Sequence, residues 1–297
     1  MKNQSKAYLF TALSILCWAT VATAFKLALR DISPVQLLFI STISSTLLLS
    51  FLALISGKFR LIKAFTIRDY ALSALMGLIN PFAYYLILFE AYRLLPAQIA
   101  QPLNCTWGIV IVFLSIPILK QQVRWYNFLS LCIGLLGVSV IAYGGEMSLY
   151  LNISVTGVLL ALSSSVVWSV YWLINAGDKK DEVVRLLMNF IFGSIFITLF
   201  YLLQGGFHEW NGDGLLPAVY VGVFEMGLTF WFWLQALRYS QNTAKISIYI
   251  YIFPILSLIF IHFFLGEKIL LTSVAGLILV IFGVVFNRIM EMRAGSR

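Results

Sequence analysis

The chain has 297 residues, 61% of them hydrophobic and only 11% charged, with a mean hydropathy of +0.94 and a formal charge of +8. A soluble domain carries about 25% charged residues, so this composition excludes an ordinary water-soluble fold and points to a membrane-embedded chain. The basic excess lies beside long apolar runs, where it reads as an orientation signal rather than a nucleic-acid surface.

A helix that crosses the hydrocarbon core needs about 20 apolar residues. Ten stretches meet this, near 7–29, 34–56, 70–94, 97–119, 124–143, 154–176, 184–204, 215–238, 242–265 and 269–289. MKNQSKAYLF leads straight into the first of them without a small-residue cleavage site, so no removed signal peptide is expected. Short polar breaks separate the runs, among them Gly57-Lys58, Lys120-Gln121-Gln122, Gly144-Gly145-Glu146, Asp178–Glu182 and Gly205-Gly206. No soluble domain is left over. The expected fold is an all-α polytopic membrane protein of ten transmembrane helices.

Lysine and arginine counts set the orientation. With the N-terminus inside, the cytoplasmic segments hold most of the basic residues, from Lys2 and Lys6 through Lys58, Arg60, Lys179 and Lys180 to Arg293 and Arg297. Only Arg30, Arg93 and Lys268 fall outside, with Lys26 near its helix end. Both termini are therefore expected in the cytoplasm, and the protein in the cytoplasmic membrane. Cys17, Cys105 and Cys132 all lie in apolar runs without a CxxC or Cys/His neighbour, so they read as small buried hydrophobes, not as metal ligands or a disulfide framework.

The two halves are weakly self-similar. Segment 15–31 aligns with 165–181, matching Trp18 with Trp168 and Asp31 with Asp181. Segment 75–93 aligns with 220–238, matching Gly77 with Gly222, Ala91 with Ala236 and Arg93 with Arg238. Each unit holds five spans, and an odd number turns the second copy upside down in the membrane. The expected organisation is two inverted five-helix repeats, 1–149 and 150–297, which together form one transport domain; such repeats place a solute site near the midplane between halves.

These features resemble the EamA family of the drug/metabolite transporter superfamily. The resemblance is carried by ATVATAFKLAL in the first span, by LFEAYRLLPAQIA and LQALRYSQNTAKIS, and by FPILSLIFIHFFLGEKILLTSVAGLILVIFGVV near the end. LPAQIAQPLNCTWG is similar to the fourth-helix segment of bacterial amino-acid exporters of that family. The resemblance implies a ten-helix transporter of amino acids or other metabolites and favours export.

At about 1.5 Å per residue through a core about 30 Å thick, Trp18, Asn80, Trp107 and Glu225 fall near the midplane, with Trp168 somewhat past it. Tryptophan normally favours the interfacial belts. Several at mid-depth read either as ordinary packing or as the lining of a cavity that contacts a solute. A carboxylate at mid-membrane costs about 2.5 kcal/mol or more on insertion scales, so Glu225 should face the interior or a watery cavity. It either binds a substrate ammonium, cycles a proton during transport, or stays protonated against a neighbouring helix. Glu225 occupies the repeat position of Asn80, and Thr229 that of Tyr84. The expected substrate-binding set is thus Trp18, Asn80, Tyr84, Trp107, Trp168, Glu225 and Thr229, with Glu225 as the group for proton coupling.

Lys26 and Lys245, near opposite ends of their spans, can snorkel to the surface or give secondary charge contacts to a solute. Glu90 and Arg93, three residues apart, should pair on one helix face, and His262 reads as a packed or interfacial histidine. Prolines 81, 102 and 254 favour kinks inside spans. Gly134, Gly137, Gly276 and Gly283 allow close helix contact at a seam between halves or between subunits.

The leading function is a secondary transporter that moves a small organic solute by alternating access, as an exporter, with an amino acid, a related metabolite, or an aromatic or cationic compound as cargo. The expected partners are that solute, the lipid bilayer and protons as a coupling ion, the chain acting as monomer or homodimer, with no nucleic acid, metal or cofactor. No GxxxxGK[ST] loop supports ATP-driven pumping. A passive channel or facilitator is the alternative. A membrane-embedded enzyme would need a catalytic constellation, and the adjacent His208-Glu209 pair reads as a solvated turn.

Overall fold

The computed structural model describes residues 3–119, 124–147, 153–175, 180–206, 212–240, 249 and 252–295. Among them there is no strand. Helices α1 (Gln4–Ala28) and α2 (Pro34–Ile55) are followed by α3 (Ile67–Gly77) and α4 (Tyr84–Leu94), then by the short α5 (Ala97–Asn104) and by α6 (Trp107–Leu119), α7 (Trp125–Met147) and α8 (Val155–Asn175). Next come α9 (Glu182–Leu203), α10 (Leu215–Tyr220), α11 (Phe230–Tyr239), α12 (Phe253–Phe260) and α13 (Leu271–Gly295). Among the described residues, seven helical stretches are long and apolar enough to cross a membrane. Shorter apolar helices at Trp125–Val140 and Phe253–Leu265 add to them. The chain is a multi-pass membrane protein.

Helix starts follow local chemistry. Ser33 caps α2 in a reciprocal box with Gln36 (3.2 and 2.8 Å), with Pro34 at the first helical position, where no N–H is needed. Thr66 and Asp69 form the same box at α3, and Asp181 caps α9. The Gly144-Gly145 break was expected to end its span, yet α7 runs on to Met147. Glycine inside a helix costs only about 1 kcal/mol, too little to stop a helix extended from a long apolar run.

The outer faces of the helices are apolar, unlike those of a soluble protein. Helix α2 buries Ser41, Thr42 and Ser45 and exposes Leu47, Phe51 and Leu54. Small hydroxyl residues let helices approach closely in lipid, and Thr46 Oγ1 meets Ser194 Oγ of α9 at 2.8 Å.

Two long helices are interrupted at matching places. Between α3 and α4, Leu78–Ala83 forms a wide turn in which Asn80 leaves helical geometry (φ −149°, ψ 118°) ahead of Pro81. Proline has no N–H to continue the ladder and disfavours helical geometry in the residue before it. Between α10 and α11, Val221–Thr229 is a π-helical stretch, and the Thr229 hydroxyl donates to the Phe224 carbonyl five residues back. The first interruption packs on α9, where a Cβ on Gly77 would sit 2.8 Å from Gly193 N. The second packs on α2, where a Cβ on Gly222 would sit 2.7 Å from Ser44 Cβ. Likewise α4 packs on α8, and α11 on α1. Helices α7 and α13 form a seam inside the chain, with Gly137 against Gly276 and Gly283 against Ser130.

Candidate functional site

A cavity of about 360 Å³ lies between the helices, a size that suits one small ligand. Its wall takes Trp18 and Phe25 from α1, Tyr84 and Tyr92 from α4, and Gln101 and Asn104 from α5. It also takes Trp107 from α6, Trp168 and Trp172 from α8, and Trp233 from α11. Glu225 enters from the π-helical stretch. Five of the eight tryptophans therefore line one internal space, a placement that interfacial anchoring does not explain. The rings pack on one another: Tyr84 lies 4.6 Å from Trp168, Trp18 lies 6.2 Å from Trp233, and Trp168 lies 5.8 Å from Trp172.

Glu225 is buried, at 5% exposure. Tyr85 Oη donates to its Oε1 at 3.1 Å, while its Oε2 has no hydrogen-bond partner among the described residues. Cys17 of α1 and Tyr84, Tyr85 and Tyr92 of α4 stand within electrostatic reach of it, and none of them carries a positive charge. A polar π-helical stretch that carries a buried acid is a common signature of a functional site in an otherwise regular helix.

The two ends of the cavity differ. Towards the C-terminal end of α13 its wall includes Asn287, Arg288 and Glu291. There Arg288 pairs with Glu291 at 3.2 Å, and Asn287 bonds Asn127 at 2.9 Å. At the opposite end, where α1 and α4 finish and α13 begins, Glu267 meets the start of α5, and Lys26 Nζ donates to the carbonyls of Tyr92 (2.8 Å) and Leu95 (2.9 Å).

The EamA-like transporter family matches this chain over residues 5–143 and again over 155–289. The chain belongs to the EamA family. Among its relatives, the uncharacterized transporter YvbV of Bacillus subtilis (strain 168) is 26% identical over 283 residues, covering 94% of this chain and 90% of its own. An uncharacterized transporter of Clostridium kluyveri is 24% identical over 298 residues, covering 95% and 93%. A solved crystal structure shares the fold at a TM-score of 0.69 and 19% identity, covering 98% of this chain and 99% of the other. An EamA protein built of apolar helices resides in the cytoplasmic membrane, since outer membranes hold β-barrels.

Of the residues expected at the EamA site, Trp18, Tyr84, Trp107, Trp168 and Glu225 come together on the cavity wall. Asn80 does not. It is fully buried in the kink, away from the cavity lining, beside the contact of Pro81 with Gly193. The break ahead of Pro81 takes Asn80 out of the helical register on which the expected cavity position rested. Thr229 is also off the wall; its hydroxyl is committed to the widened backbone turn. Lys26 is off the wall too, tied to the carbonyls that end α4. Lys245 lies outside the described residues, as does the His208-Glu209 pair. Glu90 and Arg93 pair as expected, with Arg93 Nε donating to Glu90 Oε2 at 2.8 Å. His262 is exposed, its Nδ1 3.0 Å from the Glu267 carbonyl.

Sequence reasoning missed Gln101, Trp172, Trp233, Arg288 and Glu291 as lining residues. Trp172 follows Trp168 by four and so shares its helix face, a signal that was available. Gln101 was hidden by its neighbour Pro102, which drew attention as a kink. Arg288 reads in the sequence as one of the basic residues that set orientation, and Glu291 carries no reading there.

Proposed function

We propose that this EamA protein is a secondary transporter that exports a small organic solute, an amine-bearing metabolite of the amino-acid-related kind, by alternating access between two inverted five-helix repeats, 1–149 and 150–297. One observation carries the reading: an aromatic chamber around a buried carboxylate that has no salt-bridge partner among the described residues, with the polar groups Asn287, Arg288 and Glu291 also on its wall.

The repeat reading is supported by the double family match, by the paired interruptions at Leu78–Ala83 and Val221–Thr229, and by the exchanged packing of α3 on α9 and α10 on α2. Both termini lie in the cytoplasm on the positive-inside rule, so the polar end of the chamber beside Arg288 faces the cytoplasm and loads cargo for export. Glu225 is the group that exchanges a proton for cargo.

Reconstitution into liposomes, with a panel of amino acids and organic amines and with or without an imposed pH gradient, tests this. Expected is accumulation of at least one solute against its gradient, driven by the proton gradient and lost in Glu225→Gln. Flux that only runs downhill would make the protein a facilitator, and no flux across the panel would overturn the reading.

A further inference from the structure

Two residues that line the chamber each carry a buried polar atom without a partner among the described residues: Glu225 Oε2 and Gln101 Nε2. Both side chains are buried, at 5% and 3% exposure. Burying a polar atom without a hydrogen bond is costly, and such atoms in a native structure call for an explanation. The remaining atoms of both groups are already used. Glu225 Oε1 accepts from Tyr85 Oη, and Gln101 Oε1 accepts from Ser257 Oγ at 2.5 Å. With Ser257 Oγ donating to Oε1, the N–H groups of the Gln101 amide are the end without a partner.

The pair has opposite hydrogen-bonding sense. Ionised Glu225 accepts only, and the Gln101 amide nitrogen donates only. A ligand that satisfies both must bring a donor, best a cationic one, and an acceptor oxygen. Charge then narrows the class. Among the charged lining residues that are described, Arg288 is the sole cation, and it is ion-paired with Glu291 on its own helix. Glu225 belongs to no salt bridge among the described residues. A ligand carboxylate would find a neutral amide at Gln101 and no free fixed cation, whereas a neutral carbonyl needs only the amide. Aromatic walls add to this, since tryptophan faces attract cations and pack apolar bodies.

We infer that the chamber selects a small organic monocation, an amine carrying a neutral acceptor oxygen and an apolar body, with Glu225 reading the ammonium and Gln101 reading the oxygen. This rests on the transporter reading in that the bound cation is the cargo. It differs in naming Gln101 as a specificity residue and in excluding zwitterions as the favoured form.

Four probes of one body size separate the two contacts: phenylalaninamide (ammonium and carbonyl), phenethylamine (ammonium alone), phenylalanine (zwitterion) and 3-phenylpropionamide (carbonyl alone). Binding to the purified full-length protein in detergent is measured by calorimetry and by ligand-induced thermal shift. Phenylalaninamide is expected to bind tightest, with phenethylamine and 3-phenylpropionamide each weaker by about tenfold or more, the loss of one buried hydrogen bond. Gln101→Leu should abolish the advantage of phenylalaninamide over phenethylamine. Glu225→Gln should abolish its advantage over 3-phenylpropionamide. Phenylalanine binding as tightly as its amide would overturn the charge assignment, and equal binding of phenethylamine and phenylalaninamide would overturn the Gln101 contact. Binding of none of the four at millimolar concentration would overturn both. The wild-type series decides even where a variant fails to fold. Binding in the expected order without flux in liposomes would count against the transporter reading alone.

Discussion

Glu267 and Gln98 hold each other's backbone across the two halves of the chain. The Glu267 carboxylate accepts from Ala97 N at 3.0 Å and from Gln98 N at 3.2 Å, two of the N–H groups that the first turn of α5 leaves open. The Gln98 carboxamide answers by donating to the Lys268 carbonyl at 2.9 Å and accepting from Leu270 N at 2.8 Å. Four bonds thus fasten the α4–α5 corner to the α12–α13 connection, and a carboxylate at a helix N-terminus is also favoured by the helix dipole. Under the proposed alternating access, this clamp would release whenever the Glu267 end opens.

Glu267→Ala removes both carboxylate bonds and leaves two N–H groups of α5 without a protein partner. Hydrogen bonds to a charged group contribute about 1.5–3 kcal/mol, and Glu267 is half-buried. The variant is expected to melt lower and to free α5. Cys105, which ends α5 and is 2% exposed, reports on this once Cys17 and Cys132 are replaced by alanine. Thiol labelling of Cys105 should accelerate in Glu267→Ala. An unchanged labelling rate would show that the clamp does not hold the helix.

Lys26 illustrates what the sequence could and could not convey. Its position near a span end was legible, and its charge left both a snorkelling role and a solute contact open. The structure uses it as a helix cap on the Tyr92 and Leu95 carbonyls. Lys26→Met keeps the apolar stem and removes the donors. The expected result is a lower melting temperature, equivalent to about 1–3 kcal/mol for carbonyls left unpaired, with the affinity of a bound amine unchanged. An affinity loss without a stability loss would restore the contact reading.

The apolar, multi-pass character of the chain and the meeting of Trp18, Tyr84, Trp107, Trp168 and Glu225 on one cavity wall were legible because hydropathy marks the spans and helix rise fixes position along a straight helix. Direction was not legible wherever the helix is interrupted. Asn80 and Glu225 share an alignment position, yet Asn80 is buried in the non-helical break ahead of Pro81 and off the chamber wall, while Glu225, in the π-helical stretch, lines the chamber. Asn80→Ala is therefore expected to leave amine affinity within about twofold, while Glu225→Gln lowers it about tenfold or more. Calorimetry on the two variants side by side checks this, and equal losses would place Asn80 at the ligand after all.

The seam between α7 and α13 is a place where a single methyl group should do clear damage. A Cβ on Gly137 would lie 2.7 Å from the Gly276 carbonyl oxygen and 3.0 Å from Val280 N. Both are backbone atoms of α13, so no side-chain rotamer can relieve the contact, and the two helices must separate along their shared length. Overpacking of this kind costs about 1–3 kcal/mol, and the seam joins the two segments that the family model matches separately. Gly137→Ala is expected to lower the melting temperature of the purified protein clearly. Gly212→Ala provides the comparison, since a Cβ there meets nothing within 4 Å and a surface change of this kind stays within about 0.5 kcal/mol. If Gly137→Ala melts with the wild type, α7 and α13 are not held at backbone contact, and the seam is looser than its glycines imply.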